Sequence, residues 1–274
     1  MMIENRDGQG VCYLTFSKWS EWQDQVRHGF STRIGGVSSG IYESMNLSYS
    51  RGDDDQCVTE NLKRMTAALN VSAEKIVCMS QEHTANVIEV TGKDCLQGEK
   101  EPRIKGFDGM ITNEPSIVLM TFHADCTPLF FYDTKNHAIG LTHSGWRGTA
   151  KKIGAVTVKM MQERYGTRPE DVMAGIGPSI CKACYEVSED VIKEFAKSFS
   201  KEEMEQIITA HENQDGKYQL DLWKANELIL LEAGVKPEHL DVTDLCTCCK
   251  PDFLFSHRAS NGKRGSLAAF LSLL

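Results

Sequence analysis

Three segments carry residues of metal-ligand type in comparable places. Cys126, in His123-Ala124-Asp125-Cys126, lies just past one short apolar run. His143, in His143-Ser144-Gly145-Trp146-Arg147-Gly148, lies just past another. His83, in Ser80-Gln81-Glu82-His83, follows the run Ile76–Met79. Open sheets place functional groups at strand ends, where the scaffold is rigid and the loop is exposed. Two imidazoles and a thiolate suit Zn²⁺, and three protein ligands leave a fourth position open to water. Zinc lowers the pKa of such a water towards neutrality, which would supply hydroxide for hydrolysis or deamination. The plainer alternative is three unrelated side chains, packed or hydrogen-bonded one at a time, since they lie far apart in sequence. A metal-free alternative also stands: a Cys with a His and an Asp can act as a nucleophile. Asp125 is the sequence neighbour of Cys126, so in extended backbone it points away from it.

Other residues offer anion contacts. Gly145-Trp146-Arg147-Gly148-Thr149-Ala150 joins a strand to a helix, whose first N–H groups and Arg147 could meet a phosphate. The alternative is a tight turn with Arg147 in solvent. Arg33, in the Gly/Ser-rich stretch Ser31–Gly40, is a second phosphate or carboxylate candidate, or a solvated loop residue. Asn46 would cap or turn the chain. Cys181-x-x-Cys184 and Cys246-x-Cys248-Cys249 could bind zinc together. A four-cysteine structural site normally uses two C-x-x-C knuckles, and the second group does not read as one, so buried thiols are expected. His28, His137, His211 and His239 have no supporting context and read as surface or core residues.

The elements that must position these groups are legible from apolar runs. Ile117–Phe122, Pro128–Tyr132, Ala138–Thr142 and Val172–Ile176 read as buried strands, with Phe253–Phe255 and Leu267–Leu271 as terminal ones. Helices are expected over Thr59–Asn70, Lys151–Tyr165, within Glu189–Ile208, and over Leu222–Ala233 closed by Gly234. Ile153, Val156 and Met160 mark the buried face of the second. Strands and helices mix without strict alternation. The expected architecture is α+β (mixed α/β), one domain over residues 1–274, with a mixed β-sheet core and flanking helices.

Composition narrows the function classes. With 30 Lys+Arg against 38 Asp+Glu, the net charge of −8 argues against a general nucleic-acid binder. No stretch approaches the ~18 apolar residues needed to span a bilayer, so no membrane partner is expected. The polar start Met1–Asp7 lacks a signal-peptide core, so a cytoplasmic location with reduced thiols is expected for the 10 Cys. Eight His, none in a His-x-His pair, are a poor supply for a multicopper centre.

The ordered motifs resemble the YfiH-type family over nearly the whole chain. This family is known as laccase-like or multicopper polyphenol oxidase, as purine nucleoside phosphorylase and as peptidoglycan editing factor. The matching segments include Ser31-Thr32-Arg33-x-Gly35-Gly36-Val37-Ser38, Asn46-Leu47-Ser48, Gln81-x-His83, Asp108-Gly109-Met110-Ile111-Thr112 and Ala124-Asp125-Cys126-x-Pro128. They continue with His143-x-Gly145-Trp146-Arg147-Gly148-Thr149, Gly177-Pro178-Ser179-Ile180, Cys184-Tyr185-Glu186, Cys246-Thr247 and Phe255-Ser256-His257-Arg258. The resemblance implies metal ligands at His83, Cys126 and His143, which would also be the catalytic centre. It implies substrate or phosphate contacts at Arg33, Asn46, Gln81, Asp125 and Arg147. It implies Zn²⁺, with Cu²⁺ as an alternative occupant. The implied activity is phosphorolysis of adenosine, inosine and methylthioadenosine, with deamination of adenosine to inosine. A nucleoside and phosphate are the implied partners, and the oligomeric state stays open. The chain departs from the family pattern at Glu82 and Thr84 and in Lys263-Arg264-Gly265, so the placement of a basic group from that end is not implied. Three other readings stand beside it: a Cys-dependent amide hydrolase editing cell-wall precursors, a copper-dependent polyphenol oxidase, and a non-catalytic zinc-binding protein.

Overall fold

The structure, a computed structural model, describes residues 1–274 except 101, 103 and 211–215. His211 therefore lies outside the described residues. The chain opens with β1 (Met2–Arg6), β2 (Cys12–Phe16) and β3 (Val26–Ser31), then α1 (Asp55–Ala68). Short strands β4 (Ile76–Val77), β5 (Met79–Ser80), β6 (Val87–Glu89) and β7 (Ile104–Lys105) follow. The central run is β8 (Gly109–Thr112), β9 (Val118–His123), β10 (Thr127–Asp133) and β11 (Ala138–Ser144). After it come α2 (Trp146–Ala150), α3 (Ile153–Tyr165), β12 (Val172–Ile176), β13 (Glu186–Ser188), α4 (Glu189–Phe195) and α5 (Lys201–Ile207). The last elements are β14 (Ile208–Ala210), β15 (Lys217–Leu220), α6 (Leu222–Glu232), β16 (Leu240–Val242) and β17 (Leu267–Leu273).

Among the described residues, the expected mixed sheet is two sheets of six strands each, with a further three-stranded sheet (β13-β15-β14) and the pair β5-β7. One has the order β1-β2-β3-β17-β9-β4 and the other β16-β12-β10-β11-β8-β6. Both are antiparallel in the middle, and both gain parallel pairs at their margins, β4 with β9, β12 with β16 and β6 with β8. Alternating side chains explain how the sheets stack. In β10, Phe130 and Tyr132 join a cluster with Phe16, Phe30, Leu119 and Leu271 of the other sheet. Leu129 and Phe131 turn the other way and pack with Val158 and Met161 of α3 and Leu230 of α6. In β17, Ala269 and Leu271 face the sheet interface, while Phe270 meets Met65 and Leu69 at α1. The layers run helix, sheet, sheet, helices. The central strands are buried on both faces, so they read as continuous apolar runs rather than as alternating ones.

Three expectations change. Phe253–Phe255 is a turn, not a strand, with Phe253 N–H donating to the Lys250 carbonyl at 3.0 Å. α1 starts earlier than periodicity suggests, because Asp54 caps it by accepting from Gln56 N–H at 2.7 Å. The helix expected over Lys151–Tyr165 begins at Trp146 and breaks at Lys152, whose φ is +56°. Its buried face runs through Ile153, Thr157 and Met161, whereas Val156 is exposed.

Candidate functional site

Strand pairing delivers two of the three expected ligands. The β10–β11 register places Pro128 opposite His143, so Cys126, just before β10, lies beside the end of β11. The third comes from the loop after β5, where His83 adopts a left-handed conformation (φ +59°). The ligand atoms of His83, Cys126 and His143 all fall within 4.8 Å of one another, with His83 Nε2 at 3.9 Å from Cys126 Sγ. Tetrahedral zinc with bonds of about 2.0–2.3 Å would hold such atoms roughly 3.5 Å apart, so the trio fits a metal with little movement. Gly145 must be glycine here. A Cβ on it would lie 2.8 Å from the His83 ring and 3.2 Å from Cys126 Sγ.

Asp108 organises the trio. Its Oδ1 accepts from His143 Nδ1 at 2.8 Å and from His83 N–H at 3.1 Å. Its Oδ2 accepts from the N–H groups of Glu82 at 3.2 Å and Thr84 at 2.6 Å and from Thr84 Oγ1 at 2.9 Å. These bonds hold the strained His83 backbone. They also commit His143 Nδ1–H to the carboxylate, leaving Nε2 for a metal. Burial would raise the Asp108 pKa, but the His143 contact and the Thr84 bonds bring it down to about 2. Burial likewise opposes a charge on His143, yet the Cys126 thiolate and Asp108 outweigh it and raise its pKa to about 9. Burial would raise the Cys126 thiol, but His143 and His83 draw it down to about 6. A thiolate is thus favoured, as ligand or nucleophile alike. His123 is buried beside them, with Nδ1 at 3.0 Å from the Cys126 carbonyl and Nε2 at 2.8 Å from Thr121 Oγ1. Burial and the nearby His143 charge hold its pKa well below the usual value, so it is neutral.

The trio faces a cavity of about 380 Å³ whose wall includes Ser48, Arg51, Gln81, His123, Arg264 and Ser266. Gln81 is there, but its amide is already used: Nε2 donates to the Phe122 carbonyl at 2.7 Å and Oε1 accepts from Phe122 N–H at 2.6 Å. Asn46 lies behind the wall, its Oδ1 accepting from Ser266 N–H at 2.9 Å and Ser48 N–H at 3.2 Å. Asp125 (φ +85°) turns away from Cys126, accepting from Thr247 Oγ1 at 2.6 Å and Arg258 N–H at 2.7 Å. Arg33 and Arg147 are not in this wall. Arg33 donates to the Glu43 carbonyl at 2.7 Å and lies over the Phe255 ring, 4.6 Å from its centroid. Arg147 is exposed, stacks at 4.2 Å on Trp146, and lines a separate cavity with Asp190 and Glu194. α2, which carries Arg147, is only five residues long.

Sequence reasoning missed Asp108, His123, Arg51 and Arg264 as site residues. Asp108 had a signal, an acid before a fully buried strand, but it read as a turn. The buried-thiol expectation also needs correction. Cys181, Cys184, Cys246 and Cys249 form a second cluster of ligand atoms within 4.8 Å. The spacing Cys246-x-x-Cys249 is itself the second knuckle. Cys248, which masked it, stands outside the cluster.

The sequence profile of the family described as multi-copper polyphenol oxidoreductase laccase matches residues 27–274. The chain is 36% identical over 268 residues to purine nucleoside phosphorylase YlmD of Bacillus subtilis (strain 168), covering 95% of this chain and 94% of that protein. It is 34% identical to a purine nucleoside phosphorylase of Bacteroides thetaiotaomicron, covering 97% of each. The crystal structure of the Bacillus licheniformis hypothetical protein YfiH superposes with a TM-score of 0.90 at 31% identity, covering 99% of each chain. That of YlmD from Geobacillus stearothermophilus superposes at 0.88 with 32% identity, covering 100% of this chain and 99% of the other. With strands, trio and cavity wall arranged as described, the chain belongs to this multi-copper polyphenol oxidoreductase laccase family, the YfiH-type family.

Proposed function

We propose that the cavity binds a purine nucleoside with inorganic phosphate, that a zinc ion sits on His83, Cys126 and His143, and that the chain catalyses phosphorolysis. The observation that carries this reading is the shared wall: the three ligand residues and two arginines line one cavity. Relatives named purine nucleoside phosphorylase support the substrate class. Arg264 is half-buried and donates to the Gly265 carbonyl at 2.8 Å and to Ser266 Oγ at 3.1 Å, yet its buried Nε has no partner among the described residues. Burial and the nearby Arg51 charge lower its pKa to about 10, which still leaves it cationic at neutral pH.

Arg51 and Arg264 hold the phosphate. A phosphate oxygen attacks ribose C1′ as the bond to the purine nitrogen breaks, and that electron pair leaves with the base. When bound, the metal supplies Lewis-acid stabilisation of developing negative charge. Asp108 keeps the His143 ring oriented, and neutral His123 buttresses the Cys126 loop through its carbonyl. Adenosine, inosine and methylthioadenosine are the proposed substrates. Deamination of adenosine is a secondary activity, since the two carboxylates next to the metal ligands in sequence, Asp125 and Glu82, are already engaged. Asp125 accepts two hydrogen bonds, and Glu82 accepts from Gly106 N–H at 3.0 Å.

A second reading has a specific observation behind it. Cys126, His143 and Asp108 line up as nucleophile, base and orienting acid. A thiol alkylator would inactivate either enzyme, whereas chelation would inactivate only the zinc enzyme. The deciding experiment measures base release from each nucleoside, with and without phosphate, on zinc-loaded protein. Phosphate-dependent release is expected, lost together with the zinc held by His83, Cys126 and His143 in Cys126→Ala. Undiminished turnover in that variant would sink the reading. Polyphenol oxidation, if seen, should disappear when copper is excluded from the preparation, because copper outcompetes zinc at such ligands.

A further inference from the structure

We infer that Cys181, Cys184, Cys246 and Cys249 hold a second zinc ion, in a closed four-thiolate structural site. The pairs come from two loops. Cys181 precedes the short 3₁₀ turn Lys182–Cys184 after β12 and Cys184 ends it, and Cys246 and Cys249 follow β16. A lone parallel bridge between Ser179 and Cys246 brings the loops together.

The sulfur geometry suits a tetrahedron. Zinc–sulfur bonds of about 2.3 Å put the sulfurs of a tetrahedral site roughly 3.8 Å apart. Cys249 Sγ lies 3.4 Å from Cys184 Sγ and 3.9 Å from Cys181 Sγ, and all four sulfurs fall within 4.8 Å of one another. All four cysteines are free thiols. A disulfide would need a sulfur pair at about 2.05 Å and would satisfy one partner of Cys249 while stranding the other. The backbone is arranged for thiolate at Cys246, whose Sγ accepts from Cys181 N–H at 3.2 Å and Cys249 N–H at 3.4 Å. Zn²⁺ displaces the four thiol protons, giving four Zn–S bonds and four released protons.

With four protein sulfurs there is no open position, so this site does no chemistry on a substrate. Its role is to brace. Thr247, between the two ligands of its loop, holds Asp125 beside Cys126. Arg258 N–H holds the other Asp125 oxygen, and its guanidinium donates to the carbonyls of Cys184 at 3.2 Å and Glu186 at 2.9 Å. The second zinc thus closes a strap behind the loop that carries Cys126.

The test separates the two centres. The full-length His83→Ala/Cys126→Ala protein is purified with zinc, and its metal content and X-ray absorption are measured. The expected result is one zinc per chain with four sulfurs at about 2.3 Å. Cys184→Ser/Cys249→Ser is expected to lose one zinc equivalent relative to wild type and to melt several degrees lower. If that variant does not fold, the first protein still decides. No zinc in it, a shell containing nitrogen or oxygen, or a disulfide between any two of these cysteines in freshly reduced protein would overturn the proposal. None of these results depends on the metal at His83, Cys126 and His143, whose loss is read by turnover.

Discussion

Asp108 accepts five hydrogen bonds and has no solvent exposure. Changing such an orienting partner typically costs 10- to 100-fold in metal affinity. Asp108→Asn is therefore expected to weaken zinc binding by about that factor in a competition titration. The same residue sets an acid limit for the metal-free protein. Its folded pKa, about 2, lies below the ordinary carboxyl value of 3.8. Its stabilising contribution is thus complete above about pH 4 and lost as pH falls through about 2. The difference in melting temperature between metal-free wild type and Asp108→Asn should be level between about pH 4 and 6.5, fade as pH falls towards 2, and shrink again as pH rises through about 9, where the His143 charge supported by Asp108 is lost. At this scale His83, Cys126 and His143 were legible because residue type and strand-end position both point to them. Asp108 was not, because its partners lie 24 to 35 residues away in sequence. Cys249 was legible in principle but hidden by the adjacent Cys248.

The strands explain which elements can be read from sequence. β10, β11 and β12 are mainly apolar because they are buried on both faces, and the expected bounds lie within two residues of the observed ones. β1 is half-exposed at a sheet edge, and β13, β14 and β15 are short, so none carries a long apolar run. Phe131 in β10 has no exposure and packs on α3 and α6. Phe131→Ala should cost about 3–5 kcal/mol in denaturant unfolding, through lost burial and a residual cavity. The loop entering β17 places Arg264 in the cavity, whereas α2 turns Arg147 outwards. Arg264→Ala is expected to raise the KM for phosphate about 10- to 100-fold, the loss of a charge-assisted contact. Arg147→Ala should leave it essentially unchanged. Equal effects would return the anion site to α2.

At the scale of the molecule, one apolar cluster is shared by both six-stranded sheets, through Phe16, Phe30 and Leu271 on one and Phe130, Tyr132 and Leu141 on the other. Neither sheet can open without exposing the other's inner face. We therefore propose that residues 1–274 are one cooperative unit. Tryptophan fluorescence and far-UV circular dichroism should report coincident unfolding transitions, and separated midpoints would divide the chain into two domains. The connectivity of the first sheet carries a further consequence. β17 lies in its middle, between β3 and β9, and the segment just before it supplies Arg264 and Ser266 to the cavity. While the ribosome is still translating this segment, the sheet has a vacant central slot and the cavity lacks a wall. Nascent chains can fold the second sheet first, but they gain a complete cavity only once residues 264–273 have emerged and been inserted.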